Sequence, residues 1–158
     1  MSELFDTVLG YFVDKGWPIE QHEELPVLRI DYEGEHGRWF CYARVNEEAN
    51  QFIFLSTLSE KISENKRISI AEYITRANFG LNIGNFEMDF DDGEIRYKTS
   101  IDVTYAQITF GLIDPLVNAS LVAMDDYLPG IQLVLSGEST PSQAISQINE
   151  DDDDVLTF

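Results

Sequence analysis

Five carboxylates fall within eight residues of the stretch GNFEMDFDDGEIRY: Glu87, Asp89, Asp91, Asp92 and Glu94, gathered around Gly93. Clustered Asp and Glu can hold a divalent cation or share acid/base work. An EF-hand loop places oxygen ligands at positions 1, 3 and 5 and glycine at 6. Here that register puts Met88, Phe90 and Asp92 at the ligand positions, and two of the three cannot ligate. On a strand Glu87, Asp89 and Asp91 share one face, but consecutive members stand roughly 7 Å apart, too far to close on one ion. Arg96 and Lys98 follow on the partner strand, on the same polar face, where cross-strand pairing offsets part of the charge. The residues therefore read as the solvated face of a hairpin, with an acidic docking surface and a metal or catalytic site as the alternatives.

Other chemistry-bearing residues are sparse. His22 and His36 are the two histidines, each flanked by glutamate near an expected turn, and both read as exposed and incidental. Cys41 is alone, so it has no disulfide or CxxC partner and reads as a buried structural thiol. No HExxH, GxSxG, Walker or GxGxxG pattern occurs. The sequence thus points to no catalytic residues, no metal ligands and no cofactor.

The elements that position these residues are well marked. Ser2 caps a first helix whose apolar positions Leu4, Phe5, Val8, Tyr11 and Phe12 recur at helical spacing until Gly16 and Trp17-Pro18. Period-two alternation then predicts strands over 26–33, 38–46 and 51–58. Ser69 and Glu72 form the S-x-x-E pattern of a capping box, with Ile68 and Tyr73 at the staple positions, predicting a helix over 69–82. The acidic stretch follows as a hairpin, its Asp92-Gly93 matching a two-residue type I′ turn. Leu112 to Leu135 fit a long helix ending at Gly137, started either by Thr109 or by Asp114 with Pro115, and Pro129 is expected to kink or break it. Thr140-Pro141-Ser142-Gln143 is a second capping box. Asp151 to Asp154 repel one another, so residues 149–158 are expected to be a disordered acidic tail after a single domain over 1–148.

At 158 residues and 44% hydrophobic, the chain suffices for one domain with a real core. Ten Lys and Arg against 29 Asp and Glu give a net charge of −19, which repels nucleic acid and anionic membranes. With no basic leader and no long apolar run, the expected location is the cytoplasm.

The passage EYITRANFGLNIGNFEMDFDDGEIRYKTSIDV, with MDDYLPGI and GESTPSQAI further on, resembles the YbjN-like family of bacterial sensory-transduction regulators over roughly residues 20–148. Asn78, Gly80, Leu81, Gly84, Asn85, Phe86, Asp89, Gly93, Arg96 and Tyr97 carry it. The resemblance implies an α+β fold similar to type III secretion chaperones: helices on a strongly bent antiparallel sheet, here of about five strands. It implies no reaction.

RWFCYARV has aromatics on both strand faces: Trp39, Cys41, Ala43 and Val45 alternate with Arg38, Phe40, Tyr42 and Arg44. Helices 69–82 and 112–135 can cover the first set, which leaves the second pointing away from them. Aromatics with arginine are the composition enriched at interfaces. The expectation is a non-enzymatic protein-binding module, chaperone-like or regulatory. It would meet a protein partner or a second copy of itself through Arg38, Phe40, Tyr42 and Arg44. A small enzyme or metal-dependent protein with a site built from dispersed carboxylates, and a structural subunit of a larger assembly, are the alternatives.

Overall fold

Alternate residues of β2 (Val27–Glu33) and β3 (Arg38–Asn46) are buried, which places Leu28, Ile30, Trp39, Cys41, Ala43 and Val45 on one face of a sheet. The computed structural model describes residues 2–149; of the acidic tail expected over 149–158, all but Asn149 lies outside them. Its sheet has six strands in the order β1-β2-β3-β4-β6-β5, each antiparallel to its neighbour, with β1 at Ile19–Gln21, β4 at Gln51–Thr57, β5 at Asn85–Met88 and β6 at Ile95–Asp102. The expected count of about five missed β1, whose three residues are too few to show an alternation.

Four helices supply the second layer: α1 (Glu3–Asp14), α2 (Arg67–Phe79), α3 (Phe110–Ser136) and α4 (Pro141–Asn149). Phe12 of α1 stacks on Phe54 of β4 with centroids 5.9 Å apart, and Thr99 of β6 donates to the Leu116 carbonyl of α3 at 2.9 Å. Ser56 and Ser120 share a hydrogen bond of 2.8 Å inside this layer, so two buried hydroxyls satisfy each other between β4 and α3. All these contacts lie on the Trp39 face.

The helix ends follow their caps with one exception. The Phe5 N–H donates to Ser2 Oγ, and at α4 Gln143 N–H donates to Thr140 Oγ1 while Thr140 N–H donates to Gln143 Oε1, a reciprocal box. The box expected at Ser69 does not form. A 3-10 turn at Glu64–Lys66 runs directly into α2, so the spiral starts earlier and Ser69 lies inside it. Glu72 pairs forward with Arg76 at 2.8 Å, and Ile68 is 76% exposed, so no staple exists either. Arg67 anchors this end instead, donating to the carbonyls of Ile62 and Phe90.

The hairpin turn also differs from expectation. The last pair is Asp89 with Glu94, the Gly93 N–H returns to the Asp89 carbonyl at 2.7 Å, and Gly93 has φ 81° while Asp92 does not have positive φ. The loop therefore has four residues, not the two of a type I′ turn, which requires positive φ at both centres. Phe90 is consequently carried out of the apolar face and is exposed.

Of the two starts considered for α3, Thr109 is the cap, its side chain accepting from the Leu112 N–H. The helix then continues through both Pro115 and Pro129 to Gly137, where φ 80° ends it. Pro129 does not break it, and its surroundings explain why. Proline at 129 removes the N–H that would serve the Asp125 carbonyl. His36 Nδ1 meets that carbonyl at 3.0 Å, which fixes the ring tautomer with its proton on Nδ1.

Candidate protein-interaction face

The sheet face opposite the helices is assembled row by row from the register. One row runs Glu20, Arg29, Tyr42, Leu55, Lys98 and Asn85 across the strands from β1 to β5. The next places Phe40 between Asp31 and Thr57, with Arg96 and Glu87 beyond, and on the other side Arg44 lies beside Ile53 and Ser100. Arg38, Phe40, Tyr42 and Arg44 thus share this face, as the alternation in β3 places them. Phe40 and Tyr42 are half-buried, while the two arginines are exposed.

The strip is wider than β3 alone suggests. Ile53 and Leu55 are 7% and 5% exposed yet stand apart from the core formed by the helical layer. The signal for them lay in QFIFLST, a strand apolar at nearly every position, which puts apolar side chains on the open face as well as on the helical one, as β3 does. Beside Ile53 the face sinks into an open groove of about 650 Å³ bordered by Arg44, Lys98, Ser100, Gln51, Glu47 and Asp102.

Charge on this face is organised around the apolar strip. The Arg29 guanidinium lies 5.1 Å from the Phe40 ring centroid and pairs with Glu20 at 2.7 Å; Arg38 pairs with Asp31 at 3.0 Å. Glu87 accepts from Arg96 at 2.5 Å and from Lys98 at 3.1 Å. Partial burial pushes the Glu87 carboxyl up, but these two cations outweigh it and hold the group below its usual range. Among the described residues Arg44 enters no ion pair.

The hairpin carboxylates are dispersed over separate tasks. Glu87 is spent on Arg96 and Lys98. Asp89 Oδ1 accepts the Asp91 N–H, and Asp92 accepts the Glu94 N–H on one oxygen and Lys61 on the other, at 2.7 Å. Among the described residues, one group of three gathers ligand-type atoms within 4.8 Å: Glu35, His36 and Asp125. His36 is therefore not incidental. Both Asp125 oxygens accept main-chain N–H groups, from Glu35 at 3.1 Å and His36 at 2.8 Å, so the cluster ties the β2–β3 turn to α3. Cys41 is fully buried, and burial pushes its thiol up to about 12, which leaves it unreactive.

One face packed by helices and the other left open define a single-domain α+β scaffold. Its fold is that shared with type III secretion chaperones. The chain belongs to the YbjN family, described as "Putative bacterial sensory transduction regulator", whose pattern matches residues 5–133. No curated protein matches the sequence. Among solved structures, YbjN from E. coli, titled "a putative transcription regulator", is 12% identical with a TM-score of 0.56, over 85% of this chain and 90% of that one. The ExoT–SpcS complex from Pseudomonas aeruginosa gives 12% identity and a TM-score of 0.50 over 80% and 98%. An uncharacterised protein from Methanothermobacter thermautotrophicus gives 11% and 0.51 over 94% and 98%. At these identities the likeness is one of fold.

Proposed function

We propose that this protein is a non-enzymatic binding module of the cytoplasm, chaperone-like or regulatory, which holds a segment of a partner protein against its open sheet face. One observation carries the reading: Phe40, Tyr42, Ile53 and Leu55 form an apolar strip outside the core, flanked by Arg29, Arg38, Arg44, Arg96 and Lys98. Those five are half of the ten Lys and Arg in a chain of net charge −19. Rigid aromatics beside arginine suit a segment that carries carboxylates next to apolar side chains. Membership of a regulator family and a fold shared with one member of a two-protein complex support the same reading.

The test uses the full chain as bait in its native cell, beside Phe40→Ala/Tyr42→Ala. A stoichiometric protein partner should be retained by the native chain and weakened by roughly 1–4 kcal/mol in the double variant. Equal retention by both, or association with a small molecule and no protein, overturns the proposal. A second copy of the chain as the partner would show as a concentration-dependent mass in sedimentation that the double variant loses.

A further inference from the structure

We propose that Asn78 seals one margin of the sheet: its carboxamide takes the place of a neighbouring strand along β5 and closes that edge to strand addition by a second copy of this chain. The sheet ends at β5. The Asp89 N–H donates to the Glu94 carbonyl, so alternation along β5 turns the main-chain groups of Asn85 and Glu87 toward β6 and those of Phe86 and Met88 outward. Outward groups of this kind are a template for another strand. Asn78, half-buried in the last turn of α2, meets the first pair with both ends of its side chain. Oδ1 accepts the Phe86 N–H at 2.7 Å, and Nδ2 donates to the Phe86 carbonyl at 3.0 Å. A facing residue of an antiparallel strand makes the same two bonds through its backbone. Asn85 Nδ2 adds a second bond to that carbonyl at 3.2 Å. Gly84 brings β5 back beside α2: its φ is 80°, and a Cβ there would lie 2.5 Å from the Lys98 carbonyl, so the turn admits no side chain.

The surroundings of this edge are sticky. Phe79, next to Asn78, is 97% exposed, and Ile83 and Phe90, two residues before and after β5, are exposed as well. Among the described residues no group meets the main-chain N–H or carbonyl of Met88. Two β5 strands approaching antiparallel would lay the acidic turn of each copy beside Gly84 and Asn85 of the other, so the two sets of carboxylates would not face one another. With the Asn78 carboxamide in place, Phe86 offers such a strand no free donor or acceptor, and the template shrinks to Met88. The opposite margin is closed by length and by proline. β1 has three residues, Pro18 before it carries no N–H, and Trp17 stacks on Tyr32 with centroids 5.6 Å apart. With both margins shut, a partner segment is left the open face, a consequence that rests on the reading of that face as the binding surface.

The test is Asn78→Ala in the full chain carrying Phe40→Ala and Tyr42→Ala, a background in which association through the open face does not enter. High salt screens the net charge of −19. Under that condition sedimentation should show self-association strengthened by about tenfold over the same chain with Asn78, the worth of one or two backbone hydrogen bonds. Met88→Pro removes an outward donor and spares the pairing with β6, so it should cancel the gain. Asn78→Asp keeps the side-chain shape and the acceptor for Phe86 N–H and loses only the donor; it should fold where alanine does not, and gain by a smaller factor. No gain in a folded variant, a gain that survives Met88→Pro, or loss of the native near-ultraviolet signal in both Asn78 variants overturns the inference. So does tighter capture of a protein partner by Asn78→Ala with Phe40 and Tyr42 intact, which would put the partner on the edge. The proposed function is judged apart from these outcomes, because capture by Phe40 and Tyr42 is measured with Asn78 in place.

Discussion

His36 donates its Nδ1–H to the main-chain oxygen of Asp125, four residues before Pro129, the carbonyl whose helical donor that proline has removed. A side chain from the β2–β3 turn thereby completes the hydrogen bonding of α3 at the point where the helix cannot do so itself.

The coupling can be measured. His36→Ala leaves the Asp125 carbonyl without this donor and should cost about 0.5–1.5 kcal/mol. In a Pro129→Ala background the new N–H serves that carbonyl, so the same histidine change should cost measurably less. Denaturant titrations of the two singles and the double give the interaction energy, and strict additivity would show that the ring and the proline are independent.

Gly130 stands where α3 meets a buried tyrosine. A Cβ built there would lie 2.0 Å from Tyr73 Oη and 2.6 Å from Cζ, while that hydroxyl donates to the Tyr127 carbonyl at 2.8 Å. Gly130→Ala should destabilise by about 1–3 kcal/mol or more, since the fully buried ring has nowhere to retreat. Tyr73→Phe in the same background should recover part of the loss by removing the nearest atom. A thermal melt that rises on Gly130→Ala would disprove the clash.

What was legible in the sequence divides along physical lines. Local rules worked where one residue and its own backbone decide: Ser2, Thr140 with Gln143, Gly137, and the alternation that put Phe40 and Tyr42 opposite Trp39. They failed where another element, adjacent or distant, overrides. Ser69 has the letters of a cap but lies inside a spiral begun by Glu64–Lys66, and Pro129 looks like a breaker until His36, ninety-three residues earlier, supplies the missing donor. The face itself was half visible: β3 showed it, whereas the contributions of Ile53, Leu55, Arg96 and Lys98 depend on which strands pair, which no single segment encodes.

Glu87 should leave a signature in acid. Its carboxyl is held below the ordinary value of 4.5, partial burial being outweighed by Arg96 and Lys98. A lowered folded-state value contributes stability that is fully present above the unfolded value and is lost as pH falls through the folded one. The gap in denaturation midpoint between the native chain and Glu87→Gln should therefore be widest near neutrality and close as pH drops below 4.5. A gap that does not change with pH would mean that the pair contributes no charge-dependent stability.

The two faces of β3 and β4 should separate stability from association. Phe54 is fully buried, stacked against Phe12, and its truncation to alanine should cost about 3–5 kcal/mol, since it removes ring contacts on every side and leaves a cavity. Phe40 and Tyr42 are half-buried on the other face, where solvent already meets one side of each ring and Arg29 lies over the Phe40 ring. Less surface leaves water when these rings pack, so truncating both should lower stability by less than Phe54→Ala alone. Association should respond in the opposite order: lost in Phe40→Ala/Tyr42→Ala and retained by whatever fraction of Phe54→Ala stays folded. Melts and sedimentation on the same three proteins read both quantities. Severe unfolding of the double variant with unchanged association would make these rings ordinary core and move the binding face elsewhere.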